Sequence, residues 1–284
     1  MRCVILNAGR KHTQPGNAMT IKPRTIHQLF DLRGRTALIT GGSRGLGLQM
    51  AHALGEAGAR LVISARKSDE LEQACAELQA EGIDVSWIAA DAAQESDVTA
   101  LATTALARLG HIDILVNNAG ATWGAPAEDH PTEAWDKVMN LNVRGLFLLT
   151  REIGKRSMIP RRSGRIVNTA SVAALGGNVN TMQAVGYSTS KGAVMTFTKA
   201  LAAEWGRYGI TVNAIAPGVF HSKMANGMIE KLGADNIAGN VPLNRIGDAE
   251  DLKGAVLLFA SDAGKHITGQ FLPVDGGASA VIVG

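Results

Sequence analysis

The chain has 284 residues, 46% of them hydrophobic and 19% charged, with a formal net charge of +3 and a pI near 8.9. A single α/β domain of this length buries roughly three quarters of its unfolded surface, so core size sets no limit. The basic excess sits in residues 1–30, where Arg2, Arg10, Lys11, Lys22 and Arg24 meet no acid, leaving 23 basic against 25 acidic residues elsewhere; with only 4% aromatic residues, this argues against a nucleic-acid surface.

No apolar run approaches the ~20 residues needed to cross a bilayer, so no membrane span is expected. Cys3 and Cys75 stand without a C-x-x-C pattern or an adjacent histidine, which predicts neither a disulfide framework nor a metal site and fits a reducing, cytoplasmic setting. At the start of the chain, Val4, Ile5 and Leu6 are too few for the core of a secretory signal, and a transit peptide is disfavoured because residues 1–30 contain no serine. A true start at Met19 is the alternative. Residues 1–30 are expected to be a poorly ordered extension and residues 31–284 one domain.

From Arg35 onward, short β-branched runs alternate with segments of helical period, the pattern of βαβ units and a parallel sheet. "TALIT" (36–40) precedes a helix over 46–57 that Gly58 would stop. "RLVIS" (60–64) precedes a helix over 68–81, with Ser68 as its cap. "VSWIAA" (85–90) leads to a helix over 95–109, and "DILVN" (113–117) to helical stretches reaching Met158. "GRIVNT" (164–169) is followed by a loop and a helix over 187–207, "ITVNAI" (210–215) by a long loop and a helix over 249–260, and "FLPV" (271–274) closes the set. These elements predict one doubly wound, seven-stranded parallel sheet.

Thr40-Gly41, Asp91, Asn117-Asn118-Ala119-Gly120, Ser171 and Pro217-Gly218 each fall just after a predicted strand. Ligands of open parallel sheets bind outside the carboxyl ends of the strands, so five segments converge on one crevice. In "TGGSRGLG" (40–47), Gly41, Gly45 and Gly47 would allow a tight turn, close approach of a phosphate and packing of helix on strand, while the helix N-terminus offers unpaired N–H groups to a pyrophosphate. Ser43, Arg44 and Leu46 complete this loop. The same letters fit the G-x-S-x-G of a hydrolase, but an elbow after the first strand has no earlier strand to supply a second oxyanion donor.

The choice of dinucleotide follows from charge. A carboxylate at the end of the second strand would accept from the ribose 2′-hydroxyl of NAD and repel a 2′-phosphate. Here the run is Ser64-Ala65-Arg66-Lys67, with Arg66 placed to meet a phosphate and Arg44 able to approach from the glycine loop, which favours NADP(H) over NAD(H).

One of the chain's two tyrosines opens "YSTSK", Tyr187 to Lys191, and the i,i+4 spacing stacks both side chains on one helix face. A phenol needs its anion stabilised by about 4 kcal/mol, roughly 3 pK units, to serve as an acid–base catalyst at pH 7. An ammonium about 4 Å away at an effective dielectric near 20 supplies that much.

The motifs "TGGSRGLG", "NNAG" (117–120), "LNVRGLF" (141–147), "GRIVNTAS" (164–171), "YSTSK", "NAIAPG" (213–218) and "LPVDGG" (272–277) stand in order, and over residues 31–278 the chain resembles the classical short-chain dehydrogenase/reductase family. The resemblance implies a single-domain Rossmann fold and a tetrad of Asn142, Ser171, Tyr187 and Lys191. The tyrosine is the family's acid–base catalyst, the serine binds the substrate oxygen, the lysine also holds the nicotinamide ribose, and the asparagine steadies a water in the proton relay. It further implies that Asp91, with Ala92 beside it, meets the adenine, that Asn118, Ala119, Gly120, Pro217 and Gly218 line the cofactor, and that Val219 and Ser222 sit by the carboxamide. A small-molecule carbonyl or alcohol substrate and a homotetramer or homodimer are implied as well.

Two departures stand out. Ser222 replaces the family's usual threonine and keeps the hydroxyl. The sixteen positions from Ser171 to Tyr187 exceed the usual spacing and predict a longer loop, either a reshaped substrate entrance or a plain surface loop. In the segment after Pro217, Met224, Met228, Ile229 and Leu232 would form an adaptable apolar wall or simply pack a lid helix on the body. His221 there is read as a surface residue. "ISARK", the stretch from Asn117 through Val143 and "IAPGVFHSKM" resemble the rhamnolipid-type 3-oxoacyl reductases and, more loosely, gluconate 5-dehydrogenases. A 3-oxoacyl thioester is therefore the first expectation for the substrate and a sugar acid or polyol the second. A non-catalytic NADP(H) sensor on the same fold is the alternative of another class, against which the intact tetrad speaks.

Overall fold

The structure is a computed structural model that describes residues 23–177 and 183–281. In chain order the elements are α1 (Ile26–Phe30), β1 (Thr36–Thr40), α2 (Gly45–Glu56), β2 (Arg60–Ala65), α3 (Ser68–Ala80), β3 (Val85–Ala89), α4 (Glu95–Leu109), β4 (Ile114–Asn117), α5 (Thr132–Met139), α6 (Leu146–Ile153), α7 (Ile159–Arg161), β5 (Gly164–Thr169), α8 (Val185–Trp205), β6 (Ile210–Pro217), α9 (Lys223–Leu232), α10 (Ala234–Gly239), α11 (Lys253–Ala260) and β7 (Phe271–Val274). The strands form one sheet in the order β3-β2-β1-β4-β5-β6-β7, and every pairing is parallel.

The apolar runs are continuous because helices cover both faces of the sheet. Successive residues of β1 point opposite ways: Ile39 packs with Met50 and Leu54 of α2, Leu71 and Leu78 of α3 and Phe259 of α11. Leu38 packs with Leu101 of α4, Leu149 of α6 and Leu201 of α8. From β1 the chain winds outward through β2 to β3, then returns by α4 to place β4 on the other side of β1. That reversal is the topological switch point where such sheets bind ligands.

All seven expected strands are present, and Gly58 ends α2 with φ +98°, its N–H donating to Gly55 O at 2.8 Å. Other expectations need correction. Lys67, not Ser68, is the extended residue before α3, so Ser68 is already helical and caps nothing. The helix expected over 249–260 starts at Lys253; the lid helix expected after Pro217 is α9, which carries Met224, Met228, Ile229 and Leu232, and α10 follows it within the segment read as a long loop. Residues 1–22 of the expected N-terminal extension lie outside the described residues. Its end is ordered: Thr25 and Gln28 form a capping box on α1, and Arg24 pairs with Asp262 at 2.7 Å.

Two π-helical stretches, Asn140–Gly145 and Gly154–Met158, flank α6. The first carries Asn142, and such insertions frequently occur at functional sites. A side chain at Gly145 would overlap the carbonyl oxygen of Ala92, so the missing Cβ lets the loop after β3 close on this stretch.

Candidate active site

The glycine loop leaves β1 as a tight turn in which Gly41 and Gly45 have φ of +64° and +54°. A Cβ on Gly47 would overlap Gly41 O and stand 2.5 Å from Asn118 Nδ2. Thr40 Oγ1 accepts from the amides of Asn118 and Ala119 at 3.0 and 3.1 Å, and Asn118 Nδ2 donates to the carbonyls of Thr40 and Gly41 at 3.1 Å each. The turns after β1 and β4 are thus tied together across the switch point, with small residues where a phosphate and a ring would lie. This cradle fits a dinucleotide.

At the adenosine end, β2 closes on Ala65 and leaves Arg66 exposed. Arg44, also exposed, donates to Glu70 Oε1 at 2.7 Å, a partner that sequence reasoning missed because the two residues share no local spacing. Asp91 accepts from the Ala93 amide at 3.0 Å, an Asx turn that holds the loop after β3. On the far side, the Gly218 amide donates to Val274 O at 3.0 Å, and a Cβ on Gly218 would stand 2.8 Å from that of Asp275. The carbonyl of Val219 accepts from the Gly247 amide at 2.9 Å. Ser222 caps α9 through the Ala225 amide and lies against the glycine loop, 3.7 Å from where a Cβ on Gly45 would be. Pro217 ends β6, opposite Val274. Ser43 is half-buried in the turn, and Leu46 packs on the core.

The structure brings Ser171, Tyr187, Lys191 and Asn142 together. Ser171 follows β5 and caps the short turn Val172–Ala174 by accepting from the Ala173 amide at 3.1 Å, and its hydroxyl faces the Tyr187 phenol and favours its ionised form. Lys191 is buried; its ammonium lies 5.6 Å from the Tyr187 ring centre and donates to Thr169 O at 2.6 Å. Asn142 Oδ1 accepts from the Ala121 amide at 2.8 Å, and its Nδ2 donates to Ala121 O and to Ser190 Oγ, each at 2.9 Å. Residues 178–182 of the long Ser171–Tyr187 segment lie outside the described residues. At its end, Gln183 O accepts from the Ala125 amide at 2.7 Å. His221 is exposed.

The expected acidity of the phenol does not follow from the i,i+4 spacing alone. Burial pushes the Tyr187 pKa up, and the Ser171 hydrogen bond opposes this only in part. Burial also pushes Lys191 down to about 8, which weakens the cation meant to stabilise the tyrosinate. In the protein alone, the Tyr187 phenol therefore rests neutral at pH 7.

An open parallel sheet with a phenol, a hydroxyl and an ammonium at its switch point defines a Rossmann-type oxidoreductase. Residues 35–233 match the family model described as short chain dehydrogenase, and the chain belongs to that family. It is 36% identical to the gluconate 5-dehydrogenase of Gluconobacter oxydans over 88% of this chain and 96% of that one. It is 38% identical to the rhamnolipids biosynthesis 3-oxoacyl-[acyl-carrier-protein] reductase of Pseudomonas aeruginosa, over 89% and 99%. Among solved structures, it is similar to a gluconate 5-dehydrogenase from Burkholderia cenocepacia in complex with NADP and tartrate, with a TM-score of 0.85, 35% identity and coverage of 91% and 100%. Membership makes the protein an oxidoreductase and ends the hydrolase reading of Ser43.

Proposed function

We propose that the protein is an NADP(H)-dependent oxidoreductase that interconverts a ketone and a secondary alcohol, with 3-oxoacyl thioesters as its preferred carbonyl class. The observation that carries the reaction is the Tyr187 phenol, facing the Ser171 hydroxyl and with the buried Lys191 ammonium 5.6 Å from its ring centre, at the end of the sheet where the glycine loop opens. A bound nicotinamide supplies or accepts the hydride. Ser171 and Tyr187 would both donate to the substrate oxygen as negative charge grows on it, and the Tyr187 proton would complete the alcohol. Lys191 holds positive charge behind the phenol, and Asn142 fixes the wall at Ala121. The preference for NADP(H) is supported by Ala65 at the end of β2, by Arg44 and Arg66 nearby, and by the NADP complex of the Burkholderia relative.

A sugar acid is the second reading, supported by the gluconate 5-dehydrogenase relatives. The surface around the site favours an apolar body. Trp123, Leu175, Val185 and Met224 are exposed on the segments that leave β4, β5 and β6 or enter α8. A homotetramer or homodimer belongs to the same proposal, supported by exposed Phe147 on α6 and Leu272 on the edge strand β7, and so does a cytoplasmic setting, in keeping with two cysteines that form no disulfide pattern. NADPH oxidation measured on a panel of 3-oxoacyl thioesters, simple ketones and oxidised sugar acids tests the reading. Turnover that is lost at least 1,000-fold in Tyr187→Phe with NADPH still bound supports it. No turnover on any carbonyl or alcohol favours a nucleotide sensor.

A further inference from the structure

We propose that Ser190 is a positioning residue of this site: it holds the side-chain amide of Asn142 and couples it to the first turn of the helix that carries Tyr187 and Lys191. The inference rests on the oxidoreductase reading above. Ser190 lies between the tyrosine and the lysine in α8, on the inner side of the helix. Its hydroxyl donates to the Tyr187 carbonyl oxygen at 2.7 Å and accepts from Asn142 Nδ2 at 2.9 Å. Ser190 and Asn142 are 0% and 1% exposed, so solvent replaces neither bond.

The donor order is forced. Ala121 takes one amide hydrogen of Asn142 at its carbonyl and offers its own N–H to Oδ1, which sets which way the amide faces. The second hydrogen on Nδ2 then needs an acceptor in a place closed to water, and an unpaired buried N–H is costly. Ser190 can accept because its own hydrogen is already given to Tyr187, a back-bond common for serine within a helix. The result is a one-way chain, Asn142 N–H to Ser190 O–H to Tyr187 C=O, which together with the Ala121 bonds of Asn142 joins three segments far apart in sequence. These are the wall after β4, the π-helical stretch and the start of α8.

The wall is backed by Asn142 and by Lys191, one turn beyond Tyr187 on α8. A Cβ on Gly120 would stand 3.3 Å from Asn142 Oδ1 and 3.6 Å from Lys191 Nζ, so the amide and the ammonium back the same point. When the amide loses its second anchor, the wall and the Tyr187 turn are free to move relative to one another. Misplacement of this kind slows turnover far more than it weakens nucleotide binding, because a small displacement of reacting groups costs rate steeply.

The test uses the full chain, the best ketone from the panel, and the variants Ser190→Ala, Ser190→Cys, Asn142→Ala and the double alanine variant. Melting temperature, NADPH affinity by fluorescence titration and hydrogen exchange in peptides covering 119–123 and 187–193 are recorded with kcat and KM. We expect Ser190→Ala to lower kcat by about 10- to 100-fold, change the NADPH Kd less than about 3-fold and speed exchange in both peptides, with Ser190→Cys in between. The double variant should be no slower than Asn142→Ala within about 3-fold, since both changes break one coupling. A kcat for Ser190→Ala within about 2-fold of the parent, or losses that multiply in the double variant, overturns the inference. If Ser190→Ala does not fold, the Ser190→Cys rate and its exchange decide in the same way. Full activity in Tyr187→Phe would instead defeat the assignment of Tyr187 as the proton donor and this inference with it, whereas an inactive Tyr187→Phe beside an unaffected Ser190→Ala sinks the inference alone.

Discussion

Arg44 is held by Glu70 at 2.7 Å, and Lys67 reaches the same carboxylate at 3.2 Å. Glu70 sits in the first turn of α3, where the helix dipole favours an acid, and so an anion already occupies the cation proposed to meet a 2′-phosphate. On the proposed reading, NADPH would compete with Glu70 for Arg44. Glu70→Gln is expected to lower the KM for NADPH by about 3- to 10-fold, and Arg44→Ala to raise it about 10-fold with little effect on NADH. Equal weakening of both nucleotides by Arg44→Ala would mean that Arg44 does not read the phosphate.

Lys191 carries a pH signature. Burial lowers its pKa from 10.5 to about 8, so between those values the unfolded chain keeps a proton that the folded chain has released, and stability rises with pH. Below pH 8 both states are protonated and the folded state bears the full cost of the buried ammonium. Tyr187, raised above 10, acts in the opposite sense, losing stability only as pH climbs past 10. Urea unfolding of the parent against Lys191→Met is expected to show the parent gaining about 2 kcal/mol on the variant between pH 7 and 9.5. Turnover that depends on the ammonium should decline above about pH 8.

Gly47→Ala tests the cradle. The added methyl would overlap Gly41 O and press on Asn118 Nδ2, and the backbone atoms cannot turn aside as a flexible side chain would. The expected result is a stability loss of about 1–3 kcal/mol with NADPH affinity reduced beyond that of any surface variant. Calorimetry and nucleotide titration on the same sample check it; retained affinity would place the pyrophosphate elsewhere.

Thr40→Val removes the oxygen that accepts from both the Asn118 and Ala119 amides while keeping the shape of the side chain. Two donors at the switch point lose their acceptor, and a loss of at least about 2 kcal/mol in urea unfolding is expected. A loss below about 0.5 kcal/mol would show that the two turns are held by packing and not by this hydroxyl.

Much of the molecule was legible before any coordinates. "TALIT", "GRIVNT" and "FLPV" coincide with β1, β5 and β7, because the alternation of continuous apolar runs with helical periods is a local property of the chain. The glycine spacing, the doublet of Tyr187 and Lys191 and the motifs after each strand marked the crevice for the same reason. Boundaries were less legible: the start of α3 turned on the backbone angles of Lys67, and α10 was hidden in a segment read as loop.

The amino-acid order by itself determined the sheet, its helices and the family of residues gathered at the switch point, since periodicity and turn chemistry act over a few neighbouring positions. The electrostatics of the site were decided only by tertiary structure. Arg44 meets Glu70 across 26 positions and Asn142 meets Ser190 across 48, separations that no spacing rule connects. Burial, which depends on every element packed around the pocket, set Tyr187 above and Lys191 below their ordinary pKa values where sequence spacing alone pointed to an acidic phenol.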